Sequence, residues 1–211
     1  MPQSDENIVR HLLTAIEDDA SVSQRELSSN IGIAVGSVNW YLKRCVNKGL
    51  VKLQQAPVKR YLYYLTPKGF EEKARLTTAF LQGSFELYRR GRKECEEFFA
   101  DCATTDKKRI FLAGDGDFAE VAMLSSLGTA VVVAAVVDPE SERDECVGVP
   151  IIATLAAAIR AHGNPDAILL TNLSRPREIF EQLMSEAGDA GLKPEFIHAP
   201  RMLNIGIRGK S

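Results

Sequence analysis

Two glycines and two acids give the second half of the chain a chemistry of its own. The hexad Gly114, Asp115, Gly116, Asp117, Phe118 and Ala119 follows an apolar run, Lys108-Arg-Ile-Phe-Leu-Ala, and leads into Glu120-Val-Ala-Met-Leu-Ser-Ser-Leu, which reads as a helix. In this spacing the first glycine allows a tight turn, the second lets a phosphate approach the backbone, and Ala119 takes the place of a third small residue where helix and strand pack closely. Unsatisfied N–H groups at the start of the helix, including those of Asp117 and Phe118, supply an anion site. A continuous apolar strand, Val131 to Val137, then ends in Asp138, an acid about 20 residues on, where a ribose diol would find its acceptor. The pattern points to a bound nucleotide. Asp115 and Asp117 depart from the small or apolar residues commoner at their places, and their charges would repel a pyrophosphate unless they point away or a cation intervenes. A nucleoside or mononucleotide therefore fits better than a dinucleotide.

The elements needed to hold such a site follow in order. Val147-Gly-Val-Pro-Ile-Ile, Ala156 to His162, Asp166-Ala-Ile-Leu-Leu-Thr, Pro176 to Ala187 and Pro194-Glu-Phe-Ile-His read as strand, helix, strand, helix, strand. With the two strands before them they predict an α/β, Rossmann-like parallel sheet over residues 107–211, with ligand at the carboxyl ends of the strands where their order reverses. One such end is Thr171-Asn-Leu-Ser174-Arg175-Pro176-Arg177. Ser174 is expected to cap the next helix and Pro176 to open it, which leaves Arg175 and Arg177 beside a helix start as candidate phosphate ligands.

Residues 1–78 have a different character. Between residues 21 and 70 lie eight basic residues (Arg25, Lys43, Arg44, Lys48, Lys52, Lys59, Arg60, Lys68) and one acid, Glu26, inside a chain whose net charge is −2. Such a local excess marks a polyanion-binding module. Ile8, Leu12, Leu13 and Ile16 repeat at helical period, Ser23 and Glu26 stand at capping-box spacing, and Gly32 ends that second helix. A third helix, near Gly36 to Asn47, is expected to bury Val35, Val38, Leu42 and Val46. Its other face carries Ser37, Asn39, Trp40, Lys43, Arg44 and Asn47: short polar groups for base edges, with cations for phosphates. Two alternating strands follow, around a tip that holds Lys59 and Arg60. Helix, turn, polar helix and basic hairpin together make a winged helix-turn-helix.

From Val22-Ser-Gln-Arg25-Glu-Leu through Gly49-Leu-Val-Lys to Thr66-Pro-Lys-Gly, about the first 80 residues resemble the winged-helix domain of MarR-type regulators, in particular those associated with exopolysaccharide gene clusters. The resemblance implies a double-stranded operator as partner, with Ser37, Asn39, Trp40 and Lys43 facing the major groove and Lys59 and Arg60 following the adjacent backbone or minor groove. The second half resembles the Rossmann-like domain at the front of nucleotide-sugar dehydratases and sugar acyltransferases of surface polysaccharide synthesis, and more loosely the NAD-sensing domain of Rex-type repressors. The matching residues are Gly114 to Ala119, Asp138, Val147-Gly-Val-Pro-Ile and the Asp166 strand. Those resemblances imply a nucleotide, a nucleotide sugar or NAD as ligand, and genes of surface polysaccharide biosynthesis as targets.

Between the two, residues 79–106 read as a connecting helix. Ala74, Leu81, Tyr88, Cys95 and Cys102 fall in one seven-residue register, with Phe70, Thr77, Ser84, Gly91 and Phe98 in its companion. A two-fold dimer reading two half-sites needs a partner surface, so a dimerisation helix is the preferred reading, and packing against its own second domain is the other. Gly91 predicts a bend or break. Four cysteines without CxxC spacing read as buried structural thiols, with a thiol sensor at Cys95 and Cys102 as the alternative; no metal site is expected.

Catalysis finds no set of residues. Tyr64 and Lys68 have the Tyr-x-x-x-Lys spacing of short-chain reductases, but Pro67 between them breaks the helix that would align the pair. His162 and His198 lack a carboxylate at a useful spacing, a nucleophile elbow is missing, and only Ala199 to Ser211 follow the sheet. The apolar run of residues 128–137 is far short of the ~20 residues of a membrane span, and the acidic start lacks a signal-peptide pattern. The expectation is a cytoplasmic, non-enzymatic, dimeric DNA-binding regulator that senses a nucleotide. A nucleotide-sugar enzyme with an accessory DNA-binding head and a Rex-like redox sensor are the alternatives.

Overall fold

The computed structural model describes residues 4–56 and 60–205, apart from the side chains of Ala56 and Arg60. The chain divides into two compact units, Met1–Phe85 and Glu86–Ser211.

In the first unit, helix α1 (Asp5–Asp18) starts where Ser4 accepts the N–H of Asn7, and it buries Ile8, Leu12, Leu13 and Ile16 on one stripe. Helix α2 (Gln24–Ile31) opens with the expected capping box: Glu26 N–H donates to Ser23 Oγ at 3.2 Å and Ser23 N–H to Glu26 Oε2 at 2.7 Å. Gly32 ends it in the left-handed conformation, φ 73°, where a Cβ would be penalised. Helix α3 (Val35–Asn47) buries Val38, Tyr41, Leu42 and Cys45. That corrects one sequence expectation, because Val35 is 43% exposed and Val46 only partly covered. At about 100° per residue the four buried side chains follow i, i+3, i+4, i+7, and Val35 and Val46 fall at the margins of that stripe.

Strands β1 (Val51–Ala56) and β2 (Arg60–Leu65) pair antiparallel from Val51 opposite Leu65 to Ala56 opposite Arg60. The Thr66-Pro-Lys-Gly exit then starts a long helix, α4 (Pro67–Thr104). Thr66 Oγ1 accepts the N–H of Gly69 at 3.0 Å and donates to the carbonyl of Gly49 at 2.6 Å. A Cβ on Gly69 would lie 2.1 Å from the Leu50 carbonyl oxygen, so glycine is what lets helix and wing meet.

The second unit is a sheet in the order β5-β6-β4-β3-β7-β8. Strands β3 (Arg109–Ala113), β4 (Val132–Val137), β6 (Val149–Ile152), β7 (Ala167–Leu170) and β8 (Ile197–His198) run parallel, and the two-residue β5 (Glu145–Cys146) adds an antiparallel edge that the sequence did not announce. Taken in chain order, the parallel strands lie third, second, first, fourth, fifth. The order reverses at β3, as a Rossmann-like sheet requires. Alternation along β3 separates two cores. Ile110 and Leu112 pack with α5 (Asp117–Ser126) and the end of α4, whereas Phe111 and Ala113 pack with α6 (Leu155–His162) and α7 (Pro176–Asp189).

The α4 register does two jobs rather than one. Cys95, Phe99 and Cys102 are fully buried in the second unit's core, while Phe80, Leu81, Phe85, Leu87 and Tyr88 are 40–59% exposed. The helix continues through Gly91 without the anticipated break. Gly91 is buried there, and a Cβ would come within 2.7 Å of the Phe118 ring, so the glycine serves close packing rather than bending. All four cysteines are buried and free. Burial pushes the Cys95 thiol up to about 12 and Cys102 to about 11, away from the thiolate that a reactive sensor needs.

Candidate nucleotide cleft and nucleic-acid interface

The two fingerprint glycines serve different ends. Gly114 has φ 110°, and a Cβ on it would sit 2.5 Å from both the backbone N and the Cβ of Asn172. Its N–H donates to the Val137 carbonyl at 2.9 Å, and its carbonyl accepts the buried Thr171 hydroxyl at 2.6 Å. Gly114 therefore lets the ends of β3, β4 and β7 close on one another. Gly116 is the N-cap of α5 in extended backbone, and nothing lies within 4 Å of where its Cβ would be. Open space thus faces the start of that helix.

Asp115 is turned to the loop after β4. Its carboxylate, 5% exposed, accepts the Ser141 hydroxyl at 2.6 Å and Arg143 Nε at 2.9 Å, and Arg143 also reaches Glu120. Burial raises the Asp115 pKa, but the hydrogen bonds from Arg143 and Ser141 outweigh it and leave the carboxyl below its ordinary value. Asp138 is engaged as well: Oδ2 accepts the Asp115 N–H at 2.8 Å and Oδ1 the Glu140 N–H at 2.9 Å. The residue expected to hold a ribose is, in this state, the latch between β4 and the glycine turn. Asp117 stands exposed in the first turn of α5. The Phe118 side chain is core, leaving its backbone alone to meet a ligand.

At the end of β7 the cap differs from expectation. Asn172 Oδ1 accepts the N–H groups of Ser174 and Arg175 at 3.0 and 2.9 Å, and the Ser174 side chain makes no cap. The Asx turn of Asn172 thus fixes the chain just ahead of the helix, at the N–H groups two and three residues on. Pro176 opens α7 as expected. Arg175 pairs with Glu140 and with Glu178, and Arg177 is exposed without an ion pair among the described residues. Glu140 follows β4 and Arg175 follows β7, the strands on either side of β3, so their ion pair spans the carboxyl end of β3. Beside it a cavity of about 20 Å³, lined by Gly114, Asp138, Pro139, Asn172, Gln182 and Glu186 among others, has room for one water.

A half-exposed arginine holding a buried carboxylate makes a prediction. Arg143→Gln should destabilise the protein at neutral pH, by less than breaking a fully buried pair would, because solvent screens Arg143. Because the folded pKa of Asp115 is depressed, its stabilisation is present above the unfolded value and is lost as pH falls through the folded one. The variant lacks that contribution at neutral pH and so has less to lose, and the gap between the two proteins should narrow as pH falls through the acidic range. Urea unfolding of both proteins from pH 7 to pH 3 checks this, and parallel pH curves would contradict it.

In the first unit, Gly36, Trp40, Lys43 and Asn47 occupy the side of α3 opposite its buried stripe, with Asn39 and Arg44 flanking them. Trp40 is 54% exposed. Arg25, Ser37 and Lys43 are exposed, and among the described residues neither Arg25 nor Lys43 forms an ion pair. Arg44 is committed differently: it pairs with Asp5 at 3.1 Å, and its guanidinium lies 5.2 Å from the Trp40 ring centre. Asp5 also accepts the Tyr41 hydroxyl at 2.6 Å, and the Tyr41 and Arg44 hydrogen bonds hold its carboxyl below the ordinary range. Lys59 lies outside the described residues; Arg60 contributes its backbone to β2, and its side chain is not among those described. Residues 5–52 match the family model for winged helix-turn-helix DNA-binding domains.

The first unit contains a winged helix-turn-helix.

No curated protein matches the chain. Among solved structures it is similar to MepR, described as a transcription regulator of the Staphylococcus aureus multidrug efflux pump MepA, at 17% identity over 41% of this chain, and to a mutant of S. aureus MepR at 18% over 40%, each with a TM-score of 0.34. The chain spans 64% of the length of either. Sequence reasoning about the winged helix missed the tether from Asp5 to Arg44 and Tyr41, since its partners are nearly forty residues apart. It also missed Ser141, Arg143 and Glu140 around the glycine turn. The signal available for those was the unusual Asp115, whose charge had to be answered by a cation somewhere.

Proposed function

We propose that the protein is a transcription regulator whose winged helix reads operator DNA as a homodimer and whose Rossmann-like unit binds a nucleotide metabolite that biases DNA binding. One observation carries the reading: the outward face of α3 offers Trp40, Lys43 and Asn47 to solvent, in a domain that matches a DNA-binding family. The exposed apolar side chains of α4, among them Leu81, Phe85, Leu87 and Tyr88, support a second copy as partner, because exposed large apolar groups gathered on one helix mark interaction surfaces. Genes of surface polysaccharide biosynthesis are the proposed targets, on the strength of the two sequence resemblances.

For the effector, the supporting features are the open space before α5 and the reversal of strand order at β3. Glu140 occupies Arg175, so an anionic ligand that reaches Arg175 has to displace Glu140. Glu140→Gln removes that competitor and should raise affinity for the effector severalfold. The test is a thermal-shift and calorimetric panel of NAD, NADH, nucleoside mono- and diphosphates and nucleotide sugars, since binding to the folded state raises the midpoint. A shift with one class, enhanced in Glu140→Gln, supports the sensor. No shift with any would remove it; turnover of a nucleotide sugar would make the chain an enzyme, and strong preference for NADH over NAD a redox sensor.

A further inference from the structure

The first turn of α3 is built against its own stability. Its N-cap is Ala34, which makes no side-chain cap, and Val35 and Gly36 follow. Alanine is among the poorest N-caps, a β-branched residue is a weak helix former, and glycine is weaker still. No contact among the described residues accounts for these choices. Gly36 does not adopt a positive φ and has nothing within 4 Å of its Cβ position, and Val35 is 43% exposed. One turn further on Trp40, 54% exposed, shows an aromatic surface on the same side as Gly36. Bare backbone at Gly36, Trp40 one turn on with Arg44 and Tyr41 beside its ring, and exposed Val35 about 100° round the helix together make a saddle at the N-terminal end of the helix, where recognition helices meet base edges.

We propose that this saddle selects thymine, with Val35 and Trp40 packing against C5-methyl groups in the major groove and Gly36 letting the helix approach closely enough for them to do so. The major groove offers one apolar group to read, the thymine methyl, and exposed aliphatic or aromatic side chains are what recognise it. The inference rests on the reading of the first unit as a DNA binder and adds which base it prefers. Ser37 and Asn39, beside the saddle, have the groups to read the adenine or the neighbouring pair.

The test begins by selecting duplexes from a randomised library with the intact chain, followed by replacement of thymine by deoxyuridine, one position at a time. Uracil keeps every hydrogen-bonding group and lacks only the methyl. The expected result is an enriched thymine in each half-site and a loss of about fourfold in affinity on its replacement, the worth of one buried methyl group. Val35→Ala should narrow the gap between thymine and uracil duplexes. Gly36→Ala provides a second readout: it should raise the urea midpoint of the protein while weakening binding to the selected duplex, opposite signs that a merely structural glycine would not give. Equal binding of thymine and uracil duplexes, or a Gly36→Ala variant that binds as well as the parent, overturns this inference and leaves DNA binding intact. Failure to enrich any duplex overturns both.

Discussion

Gly114→Ala is expected to destabilise residues 86–211 by about 3 kcal/mol or more. Two costs add. At φ 110° a non-glycine residue carries roughly 1–3 kcal/mol of backbone strain. The new Cβ also meets the backbone N of Asn172 at 2.5 Å, and overpacking against a rigid neighbour costs a further 1–3 kcal/mol or so. Relief requires β3 and β7 to part, which stretches the bond from the Thr171 hydroxyl to the Gly114 carbonyl and moves the Asx turn that starts α7. Gly116→Ala is the control. It has open space and extended backbone, so its stability should change by less than about 1 kcal/mol, while the methyl intrudes on whatever ligand approaches α5. Urea unfolding of the two variants side by side decides the matter; equal loss in both would mean that the turn is not clamped between the strands as described.

Lys43→Ala should weaken duplex binding by roughly tenfold at moderate salt and lower the slope of log affinity against log salt by about 1, because one phosphate contact and its released counterion are lost. Lys43→Ala with Lys48→Ala should lower it by about 2, since both lysines are exposed and free of ion pairs among the described residues. Arg44→Ala should behave otherwise. Arg44 is held by Asp5 and lies against Trp40, so its removal chiefly loosens the seat of α3 on α1, and the salt slope should move less than for Lys43. Anisotropy titrations at four or five salt concentrations separate these cases. A slope that Lys43→Ala leaves unchanged would take α3 off the DNA.

The contrast between Lys43 and Arg44 also indicates what a sequence can disclose. Both lie on the polar side of the same helix, and composition cannot tell them apart. Only the fold brings Asp5 to one of them. Local signals translated well: the Ser23 capping box, the Gly32 stop, the Pro176 start and the alternation of β3 are set by residues within a few positions of each other, and the elements appear where those residues put them. Readings that needed a distant partner fared worse. Gly91 reads as a helix breaker until Phe118 is seen beside it, and Val35 reads as core until Tyr41 and Cys45 are seen to set the buried stripe. The same holds at the glycine turn. The spacing of Gly114, Gly116 and Asp138 located the carboxyl end of β3, but it could not show that Gly114 is needed by Asn172, that Asp138 is bonded to two backbone N–H groups, or that Glu140 and Arg175 bridge over the cleft. Each of those contacts joins segments more than twenty residues apart or depends on a loop whose path no periodicity fixes.

Recovery of genomic fragments by the protein, followed by footprinting of those it retains, decides whether the first unit reads an operator. The expected result is a discrete protected site of two inverted half-sites, centred one helical turn of about 10 base pairs apart or a multiple of it, lost with Lys43→Ala and Lys48→Ala combined. Retention of fragments without a shared site, or a footprint indifferent to those two lysines, would contradict it.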